Sequence, residues 1–456
     1  MPAATSLLEQ LSGIVGATEV IVAPEELRRF SVDGKVPGAV ARPGSADEVV
    51  EIVRLARSDR LALMPAGGFS DAQLGNIPRQ LDVVVSLARM NQVLAYDPAD
   101  LTVSVEAGAT LAALEETLEA HQQFLPVDSP SSAATVGGIL ATHAGGPLRY
   151  GYGTVRDFTI GMQFVTGEGK IVKTGGRVVK NVAGYDLAKL MIGSLGTLGI
   201  ITSANFRTFP VPPRTATLAA GFASLESALE MRRKIVHSVL QPRALDLLDR
   251  EAARTLRGDT PEVEQTAWWL LVGVGGVEAL VARHATEAEK LAKESSASSF
   301  LELAAEPERQ MWEGVRAFRE RLAARYPAMI VVRASLPLTQ LGAWLKKAQE
   351  VAARSGLLLA VVARAGTAVG YACLLAKEAG RATIGKMAQA STELTHSAMS
   401  LGGRAVIEFV AADVIEVKQQ CHVWGPTRQD FLLMQKLKRE FDPDGVLNPG
   451  RYVGGI

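Results

Sequence analysis

Glycine, more than any reactive side chain, marks where this sequence could do chemistry. It has 43 glycines, and many cluster between Gly67 and Gly199. The first group is Pro65, Ala66, Gly67, Gly68, Phe69, Ser70 and Asp71, directly after an apolar run. Glycine permits backbone angles and close approaches that other residues do not. Successive main-chain N–H groups in such a turn form a nest for an anion. No Lys or Arg lies in this loop, so a diphosphate would be held there by amides. Taken alone, a Gly-Gly pair also fits a plain turn ending a strand.

The second group is Thr135, Val136, Gly137 and Gly138, followed by Ala141, Gly145-Gly146 and Tyr150-Gly-Tyr-Gly153. So much glycine with so few charges fits backbone pressed against a flat ring or a diphosphate. The third is Val179-Lys-Asn-Val182-Ala-Gly184-Tyr-Asp186, then Gly193-Ser-Leu-Gly-Thr-Leu-Gly-Ile200-Ile201. Glycines three residues apart beside β-branched residues predict a turn entering a buried strand. The fourth is Phe441-Asp-Pro-Asp-Gly-Val-Leu-Asn448-Pro-Gly450. A Pro/Gly chain end is ordinarily frayed, but Val446 and Leu447 need burial, so this tail is expected to dock.

The titratable candidates are few. No two of the six histidines have zinc-ligand spacing. His422 is the weak candidate for a base, and a structural role competes with it. His143 lies inside the second glycine group, where it could touch a ligand or simply bond the loop. His121 ends a helix, and His237, His284 and His396 are expected on helix surfaces. Arg364 could hold a substrate carboxylate or a structural ion pair. Cys373 and Cys421 alone make no disulfide framework or metal site, and they read as thiols in a reducing compartment.

These residues need elements to position them. Ser45 precedes Val49, Ile52, Val53 and Ala56 at helical spacing, with acids in the first turn, which predicts a capped amphipathic helix. Runs at 61–65, 83–87 and 101–106 read as strands, and Thr110 caps a helix presenting Leu111, Leu114 and Leu118. Residues 158–166 and 170–174 read as a hairpin around Gly167-Glu-Gly169. A helix is expected at 186–192 and a strand at 199–209. Pro210-Val-Pro-Pro213 marks a boundary. Beyond it, helices expected at 225–240, 277–295, 308–325 and 338–355 alternate with strands at 268–273, 329–333, 357–363 and 405–409, an α+β or α/β pattern. An amphipathic helix at 428–441 precedes the tail. No internal repeat is visible.

Composition bounds the function. Lys+Arg and Asp+Glu both number 48, which argues against nucleic acid as a partner. With 48% hydrophobic and 21% charged residues, the 456-residue chain reads as two or three globular domains. No stretch has the sustained apolarity of a membrane-spanning helix, and no signal-peptide pattern opens the chain.

Together, the four glycine motifs resemble the PCMH-type (vanillyl-alcohol-oxidase-like) FAD-binding family of FAD-linked oxidases. The resemblance covers residues 42–213 and the last twenty or so. It implies an α+β chain: a helical lead-in at 1–35, a two-subdomain FAD-binding fold at 36–213, an α+β cap domain at 214–427, and a C-terminal helix and tail at 428–456 returning to the FAD. By the same resemblance, the first loop wraps the pyrophosphate and the second lies along the flavin. Val182, Gly184, Ile200 and Ile201 close around it, and Asn448 reaches it from the tail. The family's covalent flavin links use His or Cys. The first loop has neither, so non-covalent FAD is expected, and no metal.

Hydroxyacid dehydrogenases of this family usually carry a histidine cluster and a Ser-Gly-Glu-His-Gly stretch. A hydroxyacid needs its carboxylate held and a base for its hydroxyl proton while hydride leaves. At the matching places this chain reads Ala363-Arg-Ala-Gly-Thr367 and Gln420-Cys-His-Val-Trp-Gly-Pro426. Val-Trp-Gly-Pro and Leu433-Met-Gln-Lys-Leu-Lys-Arg439 resemble instead the FAD-binding accessory subunit of bacterial glycolate oxidase. That resemblance implies an oxidoreductase subunit acting on CH–OH groups. Its expected partners are a catalytic flavoprotein and an Fe–S subunit, its substrate a 2-hydroxyacid, and its place the cytoplasm or, through partners, the inner membrane face. A self-sufficient dehydrogenase and a non-catalytic scaffold are the alternatives.

Overall fold

The computed structural model describes residues 6–129, 131–177, 184–258 and 260–456. Its chain divides into two compact units. Unit 1 comprises Met1–Ala144, Thr154–Pro210 and Pro426–Ile456; unit 2 comprises Gly145–Gly153 and Val211–Gly425.

Unit 1 contains two principal sheets. In the first, strands Val20–Ile21, Ala39–Ala41, Val83–Ser86 and Leu63–Ala66 lie in that order, the first pair antiparallel and the rest parallel. The parallel strands are nearly continuous buried hydrophobics, as sheets covered on both faces require. Ser45 caps helix Ala46–Asp59 by accepting from the Glu48 N–H, and the predicted stripe Val49, Ile52, Val53 and Ala56 is buried. The second sheet is antiparallel, in the order Val93–Asp97, Thr102–Glu106, Gly199–Arg207, Thr159–Thr166, Ile171–Gly175. The expected hairpin around Gly167–Gly169 is its last pair. Thr110 caps helix Leu111–Glu119, which buries Leu111, Leu114 and Leu118.

Unit 2 is built on one eight-stranded antiparallel sheet. Its order is Ser299–Leu303, Arg214–Phe222, Trp268–Gly276, Ala244–Asp249, Leu358–Arg364, Val369–Ala376, Ala328–Ser335, Arg404–Val410. Numbered within each half by chain order, this reads 4-1-3-2 followed by 2-3-1-4. Each half follows a β-α-β-β-α-β order, a recurrent two-layer motif, the first with helices Arg250–Arg257 and Pro261–Gln265 added between its second and third strands. The halves join where Ala244–Asp249 pairs with Leu358–Arg364. The structure therefore holds an internal repeat of architecture that the sequence does not display. Trp344 is wholly buried in this unit, and its indole N–H donates to the Leu394 carbonyl at 3.1 Å.

Two boundaries differ from those expected. The lead-in before residue 36 is part of unit 1, because Val20–Ile21 joins its first sheet and Leu11 and Val15 enter its core. The segment Gly145–Gly153 groups with unit 2. There the Gly151 N–H donates to the Arg243 carbonyl at 3.0 Å, and Tyr150 packs so closely on Gly366 that a Cβ there would meet its ring. Among the described residues no helix is long and apolar enough to cross a membrane.

Candidate functional site

One cleft in unit 1 collects most of the residues singled out from the sequence. It encloses about 960 Å³ of empty space, part of it open to solvent. Strand Leu63–Ala66 delivers the chain into its first wall, residues 65–71. Gly67 and Gly68 are there because nothing larger fits. A Cβ on Gly67 would sit 1.8 Å from Thr135 Oγ1, and one on Gly68 would sit 1.5 Å from the Ala133 carbonyl oxygen. Phe69 adopts φ +61, uncommon for a bulky residue and characteristic of nest-forming turns. Its ring meets Phe30 edge-on, with centroids 5.5 Å apart.

The second wall is helix Val136–Thr142, built from the start of the second glycine group. Thr135 caps it, its Oγ1 accepting from the Gly138 N–H at 3.3 Å. The helix start is pinned by main-chain bonds from Val136 to Ala109 O and from Gly137 to Ala107 O. Gly137 lies so close to Ala107 that a Cβ would meet it at 2.9 Å.

The third wall is the turn through Leu195 and Gly196. Gly193 N–H donates to Leu140 O, and Leu195 N–H donates to Ala141 O. Asn448 closes the cleft from the tail in the left-handed conformation, φ +48. Its N–H donates to Leu63 O and its side-chain amide to Leu195 O, both at 2.7 Å. Behind it, the buried Lys438 ammonium donates to Thr197 O at 2.8 Å, Leu447 O at 2.8 Å and Asp442 Oδ2 at 2.6 Å. Three N–H donors thus meet three acceptors. Burial lowers the Lys438 pKa, and Asp442 opposes that shift. Asp442 in turn accepts the Val446 and Leu447 N–H groups.

Pro65, Ala66, Gly67, Gly68, Phe69, Ser70, Asp71, Thr135, Gly137, Gly138, Ala141, Ile201 and Asn448 all line this cleft. The other expected contacts lie elsewhere. Val136 turns into the core under its helix, and Ile200 points to the opposite face of its strand from Ile201, as alternation demands. Gly145 belongs to unit 2. Gly184 is exposed with nothing among the described residues near its Cβ position, and Val182 lies outside the described residues. Met64, Leu74, Leu87, Ala107, Ser129, Leu195 and Arg451, not expected from the sequence, also line the cleft. Leu87 ends one predicted strand and Ala107 directly follows another, positions that could have flagged them. Among the lining residues described, only Asp71 and Arg451 are ionisable.

Flat apolar walls, amide-rich turns and positions where a Cβ cannot be accommodated fit a dinucleotide with a planar ring. The family expectation, FAD, is therefore compatible with the residues present.

In unit 2, Arg364 pairs with the fully buried Asp246, and its guanidinium lies 5.3 Å from the centroid of the Tyr371 ring. Arg333 pairs with Glu408 at 2.5 Å. Burial raises the Tyr371 pKa and Glu408 adds to it, while Arg364, Arg333 and Arg149 oppose it. His422 is exposed in a turn whose Gly425 N–H donates to its carbonyl. His237 and His396 are exposed as expected, but His284 is buried, at 5% exposure, on the inner face of helix Glu278–Glu294. Burial lowers its pKa, helped by Arg283. Cys373 is buried with its thiol pKa pushed up by desolvation, and the Cys421 thiol donates to Ala388 O at 3.3 Å. Among the described residues no group of three His, Cys, Asp or Glu side chains could hold a metal ion.

Comparison with known proteins agrees with this layout. A family model described as an FAD binding domain matches residues 37–175. Another, the C-terminal domain of FAD linked oxidases, matches 211–408 and 424–452. The chain is 28% identical over 427 residues to glycolate oxidase subunit GlcD of Bacillus subtilis (strain 168), covering 91% of this chain and 89% of that protein. It is 37% identical over 187 residues to glycolate oxidase subunit GlcE of Escherichia coli (strain K12), covering 40% of this chain and 52% of that one. The solved structure of p-cresol methylhydroxylase with substrate bound superposes with a TM-score of 0.77 at 16% identity, over 99% of this chain and 98% of that one, a likeness of fold.

Proposed function

From the premise that this chain belongs to the family of FAD-linked oxidases, an oxidoreductase with FAD as its cofactor, we propose that it is the FAD-carrying subunit of a 2-hydroxyacid oxidase complex. In this reading a catalytic flavoprotein and an Fe–S subunit are its partners. The relatives named as glycolate oxidase subunits support the substrate class. The residues assigned to FAD are those that line the cleft. The loop at 65–71 takes the diphosphate, Thr135, Gly137, Gly138 and Ala141 lie along the ring system, and Asn448 closes the site. Bound FAD would supply the hydride acceptor.

The observation that carries the subunit role is the row of side chains across the unit 2 sheet. Asp246, Arg364, Tyr371, Arg333 and Glu408 are engaged with one another in ion pairs and a ring contact. Each carboxylate of this row already has a guanidinium beside it, which disfavours it as a base. His422, the candidate from sequence, is exposed elsewhere. A second reading, a self-sufficient hydroxyacid dehydrogenase, draws on the same row. Arg149, Arg333 and Arg364 around Tyr371 outnumber the carboxylates Asp246 and Glu408, leaving positive charge for a substrate carboxylate.

Anaerobic mixing of the isolated protein with glycolate and D-lactate separates the two. The subunit reading expects no bleaching of the flavin on the seconds timescale, together with native co-purification of a second flavoprotein and iron–sulfur absorbance. Rapid bleaching by the isolated chain would sink it in favour of the second reading.

A further inference from the structure

We propose that Arg451 is the positioning residue of the diphosphate loop, anchoring the chain that leaves it at residues 72–76. This inference rests on the reading of the cleft as the FAD site.

The guanidinium is almost wholly buried, at 2% exposure, and borders the cleft beside Ala72 and Leu74. It donates to three carbonyls of a single stretch: Ala72 O, Leu74 O at 2.5 Å and Asn76 O at 2.5 Å. These carbonyls belong to alternate peptides of the chain that continues the 65–71 wall. In a trans peptide the carbonyl and the N–H point in opposite directions. Drawing these three carbonyls onto Arg451 therefore turns the N–H groups of Gln73, Gly75 and Ile77 away from it. One planar fork can satisfy several acceptors in fixed directions, which a lysine ammonium cannot reproduce. Gly75 adopts φ +102 within the stretch, a conformation open to glycine.

Main-chain bonds run back from this stretch to the tail. Asn76 N–H donates to Arg451 O, and Arg79 N–H donates to Pro449 O. The Asn76 side chain donates to Gly450 O and Tyr452 O. Asp33, itself buried, pairs with Arg451 at 3.3 Å. That pairing offsets its charge at short range, so Arg451 acts through the backbone it holds rather than as a cation facing the phosphates.

The test is calorimetric titration of the apoprotein with FAD, ADP and riboflavin. ADP probes the diphosphate loop without the flavin, and riboflavin probes the flavin without any phosphate. For Arg451→Met, ADP and FAD affinities are expected to fall about tenfold or more while riboflavin affinity stays within about threefold. Arg451→Lys keeps the charge and loses the fork, so it is expected to lose about fivefold for ADP, with riboflavin again unchanged. Should Arg451→Met fail to fold, the lysine variant decides alone. Equal losses for ADP and riboflavin, or an ADP affinity in Arg451→Lys equal to wild type, overturn the proposal. A wild-type apoprotein that binds none of the three overturns the cleft reading itself, and the proposal with it.

Discussion

Single residues set the tolerances of this site, and Gly68 sets the narrowest. Its missing side chain makes room for a main-chain oxygen 1.5 Å from where a Cβ would be, and a backbone atom cannot swing aside as a side chain can. Gly68→Ala must displace either the 65–71 loop or the turn at Ala133, so FAD affinity is expected to drop by about 100-fold or more. Fluorescence titration with FAD would read this. A Gly68→Ala protein that purifies yellow at wild-type stoichiometry and affinity would show that the loop does not grip the cofactor. Gly67 and Gly68 stand out in the sequence because glycine pairs after a strand are conspicuous. Arg451 does not stand out. It sits in a Pro/Gly tail without periodicity, and the three carbonyls that define its role lie some 375 residues earlier in the chain.

Elements were legible where they carried their own caps and stripes. Ser45 and Thr110 announced their helices, and both serve as N-caps through side-chain bonds. Strand Arg214–Phe222 was missed. It follows two prolines and reads Arg-Thr-Ala-Thr-Leu-Ala-Ala-Gly-Phe, so its strand character comes from pairing on both edges rather than from propensity. Helix Arg381–Ser400 was missed because Gly380 at its N-cap makes no side-chain bond and its buried face is largely Ala, Ser and Thr. The expected helix at 308–325 is two, Ala305–Arg316 and Phe318–Arg325, divided at Ala317.

Helix Arg250–Arg257 carries a pH-dependent element. Its N-cap Asp249 accepts the Ala252 N–H at 2.8 Å. Burial pushes the Asp249 pKa up to about 7, against the lowering effect of the Ala252 and Val361 N–H groups. Unfolded, the group ionises near 4. Between about pH 4 and pH 7 the native state therefore holds a proton that the unfolded chain has released, and stability falls as pH rises through that window. Asn caps helices as well as Asp does and cannot ionise. Asp249→Asn is expected to be more stable than wild type by about 2–4 kcal/mol at pH 8, with the gain shrinking toward pH 4. Thermal melts at pH 5 and pH 8 would check it, and a stability difference independent of pH would contradict it.

At the scale of the whole molecule, the α+β, PCMH-type architecture implied by four glycine motifs is the architecture found. What those motifs could not convey was the repeat in unit 2. Its halves share strand order while their sequences diverge, since a β-α-β-β-α-β unit constrains hydrophobic pattern more than identity. The described residues lining the cleft include no His or Cys. Heat denaturation and centrifugation are accordingly expected to leave all FAD in the supernatant. Flavin fluorescence migrating with the denatured polypeptide on a gel would show a covalent link instead.

The chain leaves unit 1 after Ala144, returns at Thr154, leaves again after Pro210 and comes back at Pro426. The cofactor cleft is thus assembled from segments nearly 400 residues apart, with the loop after Leu63 waiting for Asn448 and Arg451. During synthesis, unit 2 can collapse on its own strands while the flavin unit is still missing its last wall. Contacts of such sequence separation form late. Cofactor capture is therefore expected to close biogenesis rather than to nucleate it.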